Sequence, residues 1–134
     1  MKRFLKASIA AFVTISVLEF VIHGYFLKDL YRETMSIWRP EPEMKSMMGL
    51  MWLGYLIFAP LFVFIYSRGY ETGKSKLAQG LRYGFWIGLL MGAMPTLIWY
   101  VVLPIPQALA ISWFTFGVIE SLVVGAVVGL TYQK

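Results

Sequence analysis

Four long apolar runs alternate with short stretches that hold most of the charge. The runs cover about residues 5–27, 46–67, 80–103 and 108–131. Each is long enough to cross a hydrocarbon layer, which takes about 20 mainly apolar residues. None shows the period-two alternation of a barrel strand. The pattern predicts an all-α integral membrane protein, with four transmembrane helices in an antiparallel bundle and a single domain over residues 1–134.

The stretch KDLYRETMSIWRPEPEMK, residues 28–45, is the one substantial polar segment. Leu27, Leu30, Tyr31, Thr34 and Trp38 recur at helical spacing, opposite Lys28, Asp29, Arg32 and Glu33. This predicts an amphipathic interfacial helix over about 28–39, anchored at the membrane surface by Trp38. Pro40 and Pro42 should then stop it. Pro60 and Pro95 fall inside the second and third runs and should kink them, because each frees a carbonyl one turn back. The connection Pro104-Ile105-Pro106-Gln107 is so short that the third and fourth spans must form a helical hairpin.

The chain opens Met1-Lys2-Arg3-Phe4-Leu5-Lys6, as a signal peptide would. The apolar run that follows is long, carries Glu19 and is not followed by a small-x-small cleavage site, so an uncleaved first helix is expected. Lys2, Arg3, Lys6, Arg68, Lys74, Lys76, Arg82 and Lys134 gather on one side of the predicted bundle, against Lys28, Arg32, Arg39 and Lys45 on the other. Basic residues collect on the cytoplasmic side. Both termini are therefore expected in the cytoplasm, with 28–45 outside a plasma (inner) membrane.

Composition agrees with this picture. Of 134 residues, 59% are hydrophobic and only 14% charged, with mean hydropathy +0.69. A soluble domain would carry roughly a quarter charged residues. The net charge of +5 sits at segment ends and accompanies no nucleic-acid reader motif, so lipid rather than nucleic acid is the expected partner. The chain has no cysteine, which excludes disulfides, thiolate metal sites and cysteine nucleophiles. Gly69-Tyr-Glu-Thr-Gly73-Lys74-Ser75 imitates a phosphate-binding loop but has three residues between its glycines where four are needed, and no strand precedes it.

Two ladders of small residues predict close helix contacts. Gly80, Gly84, Gly88 and Gly92 are spaced four apart in the third run, and Gly117, Ser121, Gly125 and Gly129 in the fourth. Such faces let backbones approach closely. They most simply pack against each other, or alternatively form a seam with a second copy or a partner membrane protein.

Ionisable residues at membrane depth are costly and tend to face an interior or a wet cavity. Glu19 and His23 stand four apart, on one helix face. Counting 1.5 Å per residue, Glu19 lies roughly 12 Å and Glu120 about 18 Å below the outer surface, close enough to meet if their helices are neighbours. Arg39 would stand at the mouth of such a site. A carboxyl pair sharing one proton could hold a cation or a protonatable ligand. A metal reading is weaker, because Glu-x-x-x-His is not the Glu-x-x-His of di-iron bundles. The carboxyls could instead hydrogen-bond hydroxyls such as Ser16, Thr115 or Ser121. Met44, Met47, Met48 and Met51 follow helical spacing, and with His23 offer the soft ligands that suit Cu(I), although methionine is equally an apolar filler.

With a single histidine and no nucleophile elbow, nothing predicts a hydrolase or a bound cofactor. Two functions remain. One is a small transporter or ligand- or cation-binding protein with an outward-facing polar site at Glu19, His23, Arg39 and Glu120. The other is an accessory subunit that docks on a larger membrane complex through its glycine faces.

Overall fold

The computed structural model of the chain describes residues 1–132, which contain helices and no strand. Helix α1 spans Lys2–Val21 and runs through a π-helical turn, Ile22–Phe26, towards the short α2, Lys28–Glu33. A 3-10 turn, Met35–Ile37, leads to α3, Glu41–Arg68, followed by α4, Lys76–Val102, and α5, Gln107–Thr131. The stretches Lys2–Phe26, Glu41–Arg68, Lys76–Val102 and Gln107–Thr131 are each long and apolar enough to cross a membrane.

The segment expected as one helix over 28–39 is broken at Thr34 (φ −112°, ψ 20°). Its hydroxyl donates to the Leu30 carbonyl at 2.8 Å and accepts the Trp38 indole N–H at 2.9 Å. Hydroxyl side chains that bond the nearby backbone in this way compete with helix continuation. The apolar face is as read. Leu27 and Thr34 are buried, and Leu30, Tyr31, Ile37 and Trp38 pack over the N-terminal end of α5 with Leu109 and Ala110. Trp38 lies between Tyr31 and Trp113, at ring separations of 5.6 and 6.0 Å, so its partners are within the protein.

Helix α3 starts at Glu41, ahead of the expected residue 46. Pro42 falls in its first turn, where a missing N–H removes no helical hydrogen bond. Glu41 and Glu43 there suit the positive end of the helix dipole. Pro40 and Pro42 thus end one segment and begin the next. Helices α3 and α4 run without interruption past Pro60 and Pro95.

The tightest contact is the antiparallel α4–α5 hairpin. A Cβ built on Gly80 would fall 2.2 Å from the Gly125 carbonyl oxygen, and one on Gly84 2.2 Å from that of Ser121. Gly125 and Gly129 return the contact against Gly80 and Lys76. Helix α1 packs against α3 and α5, its Ala7, Ala11 and Ile15 meeting Ala59, Phe62, Val63, Val124 and Val128 in one buried cluster. The start of α1 meets the end of α5 here, with the Arg3 guanidinium 5.6 Å from the Tyr132 ring centre.

At this end α3 touches α4 through Tyr83, whose hydroxyl donates to the Phe62 carbonyl at 2.7 Å. The 69–75 connection is stitched by buried Gln79, which accepts from the Glu71 N–H and donates to the Glu71 and Lys74 carbonyls. Towards the other end α3 leaves the bundle. From Glu41 to Gly54 every residue is exposed.

Candidate functional site: an acid–histidine–tyrosine cluster in the helix cleft

Where α3 and α4 part, a cavity of ≈ 780 Å³ opens among α1, α3, α4 and α5. Its walls are mostly apolar, with Phe58, Met91, Pro95 and Trp99 among them. The polar groups are concentrated in one patch that includes Glu19, His23, Tyr55 and Glu120. Three of the four side chains expected at the site are therefore together. Arg39 is not among them. It lines a second cleft, which Glu19 and His23 also line, and pairs with Glu43, four residues on.

The cluster is a connected network. The Trp113 indole N–H donates to the Tyr31 oxygen at 2.8 Å, and that hydroxyl lies 2.6 Å from His23 Nδ1. His23 Nε2 lies 3.4 Å from Glu19 Oε2, which also accepts the Tyr55 hydroxyl at 3.2 Å. Because an indole only donates, the Tyr31 oxygen accepts there, and the direction of its bond with His23 Nδ1 is set by the imidazole tautomer. Burial pushes the Tyr31 phenol up, the Trp113 N–H pulls it down, and the Glu19 charge pushes it up again. The phenol consequently keeps its proton and its place in the chain.

Glu120 completes the network from α5. Its carboxyl lines the same cavity as Glu19, and its Oε1 is buried with no partner among the described residues. Two carboxyl groups in contact repel unless they share a proton or hold a cation. Of the hydroxyls considered as alternative partners, Ser16 donates to the Phe12 carbonyl at 2.8 Å and Thr115 is exposed, while Ser121 lines the same cavity as Glu120.

Local structure explains these positions. The π turn at Ile22–Phe26 widens the helix, closing with the Leu27 N–H on the Ile22 carbonyl at 2.9 Å, and His23 lies within it. Such turns recur at functional sites because they re-aim a side chain. The glycine ladders shape the cavity by where they stop. Gly88 still meets Ser121 and Val118, but Gly92 meets the Phe114 ring, and a Cβ on Gly117 would touch nothing within 4 Å. Gly117, expected in the packing face, instead lines the cavity.

Met44, Met48 and Met51 line the second cleft with His23, but Met47 does not. Both ring nitrogens of His23 face protein partners. Among the described residues, no three His, Cys, Asp or Glu side chains are gathered to hold a metal ion.

Tyr31, Tyr55 and Trp113 were not anticipated as site residues. Tyr31 carried a partial signal, since it falls on the protein-facing side of its amphipathic segment. Tyr55 and Trp113 meet the cluster only through tertiary contacts spanning 36 and 82 residues of sequence.

Fold and site together define an all-helical protein with four helices able to span a membrane and an ionisable cluster in a largely apolar cavity. No family model matches the chain, and no curated protein or solved structure is similar to it.

Proposed function

We propose that the chain is a multi-pass protein of the plasma (inner) membrane that binds a small ligand in the α1/α3/α4/α5 cavity, as a small transporter would. The ligand class is a lipophilic molecule carrying a cationic or hydrogen-bond-donating group. One observation carries the reading: Glu19, His23 and Glu120, from two separate apolar helices, converge on one cavity. Its ≈ 780 Å³ is within the ~300–1,000 Å³ common for small-molecule sites, where apolar walls supply affinity and a few polar groups fix orientation. The carboxyl pair would receive the cationic group, and the opening between α3 and α4 would admit the apolar part from the bilayer. The basic-residue distribution supports cytoplasmic termini and an outward-facing polar patch. Because the chain has no cysteine, single introduced cysteines at Lys2 and Glu33 report that orientation by labelling in intact cells.

The test is native mass spectrometry of detergent-extracted protein. A molecule that copurifies with the wild type should be absent from Glu19→Gln and Glu120→Gln, both of which should keep the wild-type melting temperature. Loss of folding without loss of a bound molecule would refute the site.

A second reading, an accessory subunit of a larger membrane complex, is favoured by the uncovered half of α3, exposed from Glu41 to Gly54. The glycine faces are occupied inside the α4–α5 hairpin, so docking would use α3 instead. A partner protein, or a second copy of the chain, released by a bulky substitution at Gly49 would favour it.

A further inference from the structure

A second cleft of ≈ 1280 Å³ lies on the other side of the Glu19–Tyr55 wall, between α1, α2 and the uncovered half of α3. Its chemistry is divided along its length. Lys28, Arg32 and Arg39 line it beside α2, while exposed Val17, Phe20, Met48, Met51 and Trp52 line it along α1 and α3. We infer that this cleft holds an anionic membrane lipid, its phosphate against Lys28, Arg32 and Arg39 and an acyl chain along α3. The inference uses the membrane placement proposed above but not the acid-pair site.

Charge complementarity identifies the occupant. Lys28 makes no ion pair among the described residues. Arg32 meets Asp29 only at 3.5 Å, and Arg39 pairs with Glu43, in both cases with the arginine more than half exposed. Neither Asp29 nor Glu43 lines the cleft. Exposed pairs of this kind are weak, so a phosphate competes well for the same guanidinium groups. The acids that do line the cleft are otherwise engaged: Glu41 binds Lys45 at 2.7 Å, and Glu19 is tied to Tyr55. Glu19 is also nine residues from Lys28, about 13 Å along the helix, and so stands clear of the headgroup. The methionine wall suits an acyl chain, because unbranched thioethers adapt to a flexible apolar partner.

The experiment uses the full chain in mixed micelles, with bound lipid scored by native mass spectrometry. Phosphatidylglycerol should be retained in preference to phosphatidylcholine. A cation near an anionic headgroup contributes about fivefold in affinity, so the triple variant Lys28→Gln/Arg32→Gln/Arg39→Gln should lose the preference by roughly a hundredfold. Lys74→Gln/Lys76→Gln, at the opposite end, should keep it. Arg39→Gln alone should lose about fivefold and serves if the triple variant fails to fold. Equal retention of the two lipids, or a preference lost in the Lys74/Lys76 variant instead, overturns the inference. So does glycerol phosphate binding as tightly as the lipid. Failure of the chain to float with phosphatidylglycerol vesicles would overturn the membrane placement itself, a different result from inserting without a lipid preference.

Discussion

Gly84→Ala and Gly117→Ala are the same chemical change on two helices of one hairpin, and their effects should have opposite signs. At Gly84 the new Cβ would fall 2.2 Å from the Ser121 carbonyl oxygen, 2.9 Å from its carbon and 3.0 Å from the Leu122 Cα. All three are backbone atoms, so no rotamer change relieves the clash. Restoring ordinary contact, 3.4 Å or more, moves the helices apart by over an ångström. A gap of 0.5–1 Å already forfeits about a quarter to a half of the dispersion energy of the atoms facing it. Overpacking of this kind costs about 1–3 kcal/mol, and the rigid backbone contact puts Gly84→Ala near the upper figure. At Gly117 a Cβ meets nothing within 4 Å. There only the helix preference of alanine acts, worth about 0.5–1 kcal/mol in its favour. That preference is common to both variants, so their difference, about 3 kcal/mol, isolates the packing. Equilibrium unfolding in micelles, followed by far-UV circular dichroism, measures it. Equal stabilities for the two variants would refute the packing argument.

Gln79→Ala should cost about 2–3 kcal/mol, because three loop backbone groups lose their partner at a buried position; limited proteolysis within residues 69–75 should accelerate. The Lys74 and Arg82 side chains that bond Glu71 hold its carboxyl below the ordinary value of 4.5. A depressed carboxyl stabilises the native loop above its unfolded-state value and loses that contribution as pH falls through the native one. Hydrogen exchange in the loop should therefore quicken on acidification below about pH 4.5 and lose that dependence in Glu71→Gln. Tyr31 behaves in the opposite sense. Its raised phenol contributes stability that is complete below pH 10 and disappears as pH rises through the native value, and Tyr31→Phe should remove this alkaline loss in a pH series of melting temperatures. Trp113→Phe should cost about 1 kcal/mol through the lost donor to Tyr31, and Tyr31→Phe should make that change nearly neutral in a double-mutant cycle.

Hydropathy carries the four helices because burial in lipid or in protein demands the same long apolar run, and each observed helix overlaps its predicted range closely. The hairpin was legible too, since a four-residue connection leaves no other arrangement. The boundary at Glu41 was harder, because a proline pair ends a helix or starts one depending on whether the missing N–H belongs to its interior or its first turn. The break at Thr34 depends on a hydroxyl accepting Trp38, a bond that spacing alone does not distinguish from surface anchoring. Within the site, Glu19 and His23 are legible because they share a helix face. Their meeting with Glu120 follows from α1 packing on α5, which no local pattern specifies. For Arg39 the sequence gives depth but not azimuth: it lines the second cleft, with Glu19 and His23, and pairs with Glu43, four residues on.

Packing and site are joined at Ser121. Its carbonyl opposes Gly84, its side chain opposes Gly88, and the preceding residue is Glu120. A displacement of α5 at this level must move the Glu120 carboxyl relative to Glu19, because a helix backbone shifts as a unit over a single turn. Gly129 has an equally tight contact, its Cβ position 2.4 Å from the Lys76 carbonyl oxygen, but it is two turns further along, away from the cavity. Gly84→Ala and Gly129→Ala should therefore destabilise the protein by comparable amounts, about 1–3 kcal/mol each. Only Gly84→Ala should shift the infrared carboxyl bands assigned with Glu120→Gln. Should both variants shift those bands equally, the cluster would be responding to general loosening of the bundle. Should neither do so, the acid pair would be held by α1 and α3 alone, and the closed part of the hairpin would have no part in positioning it.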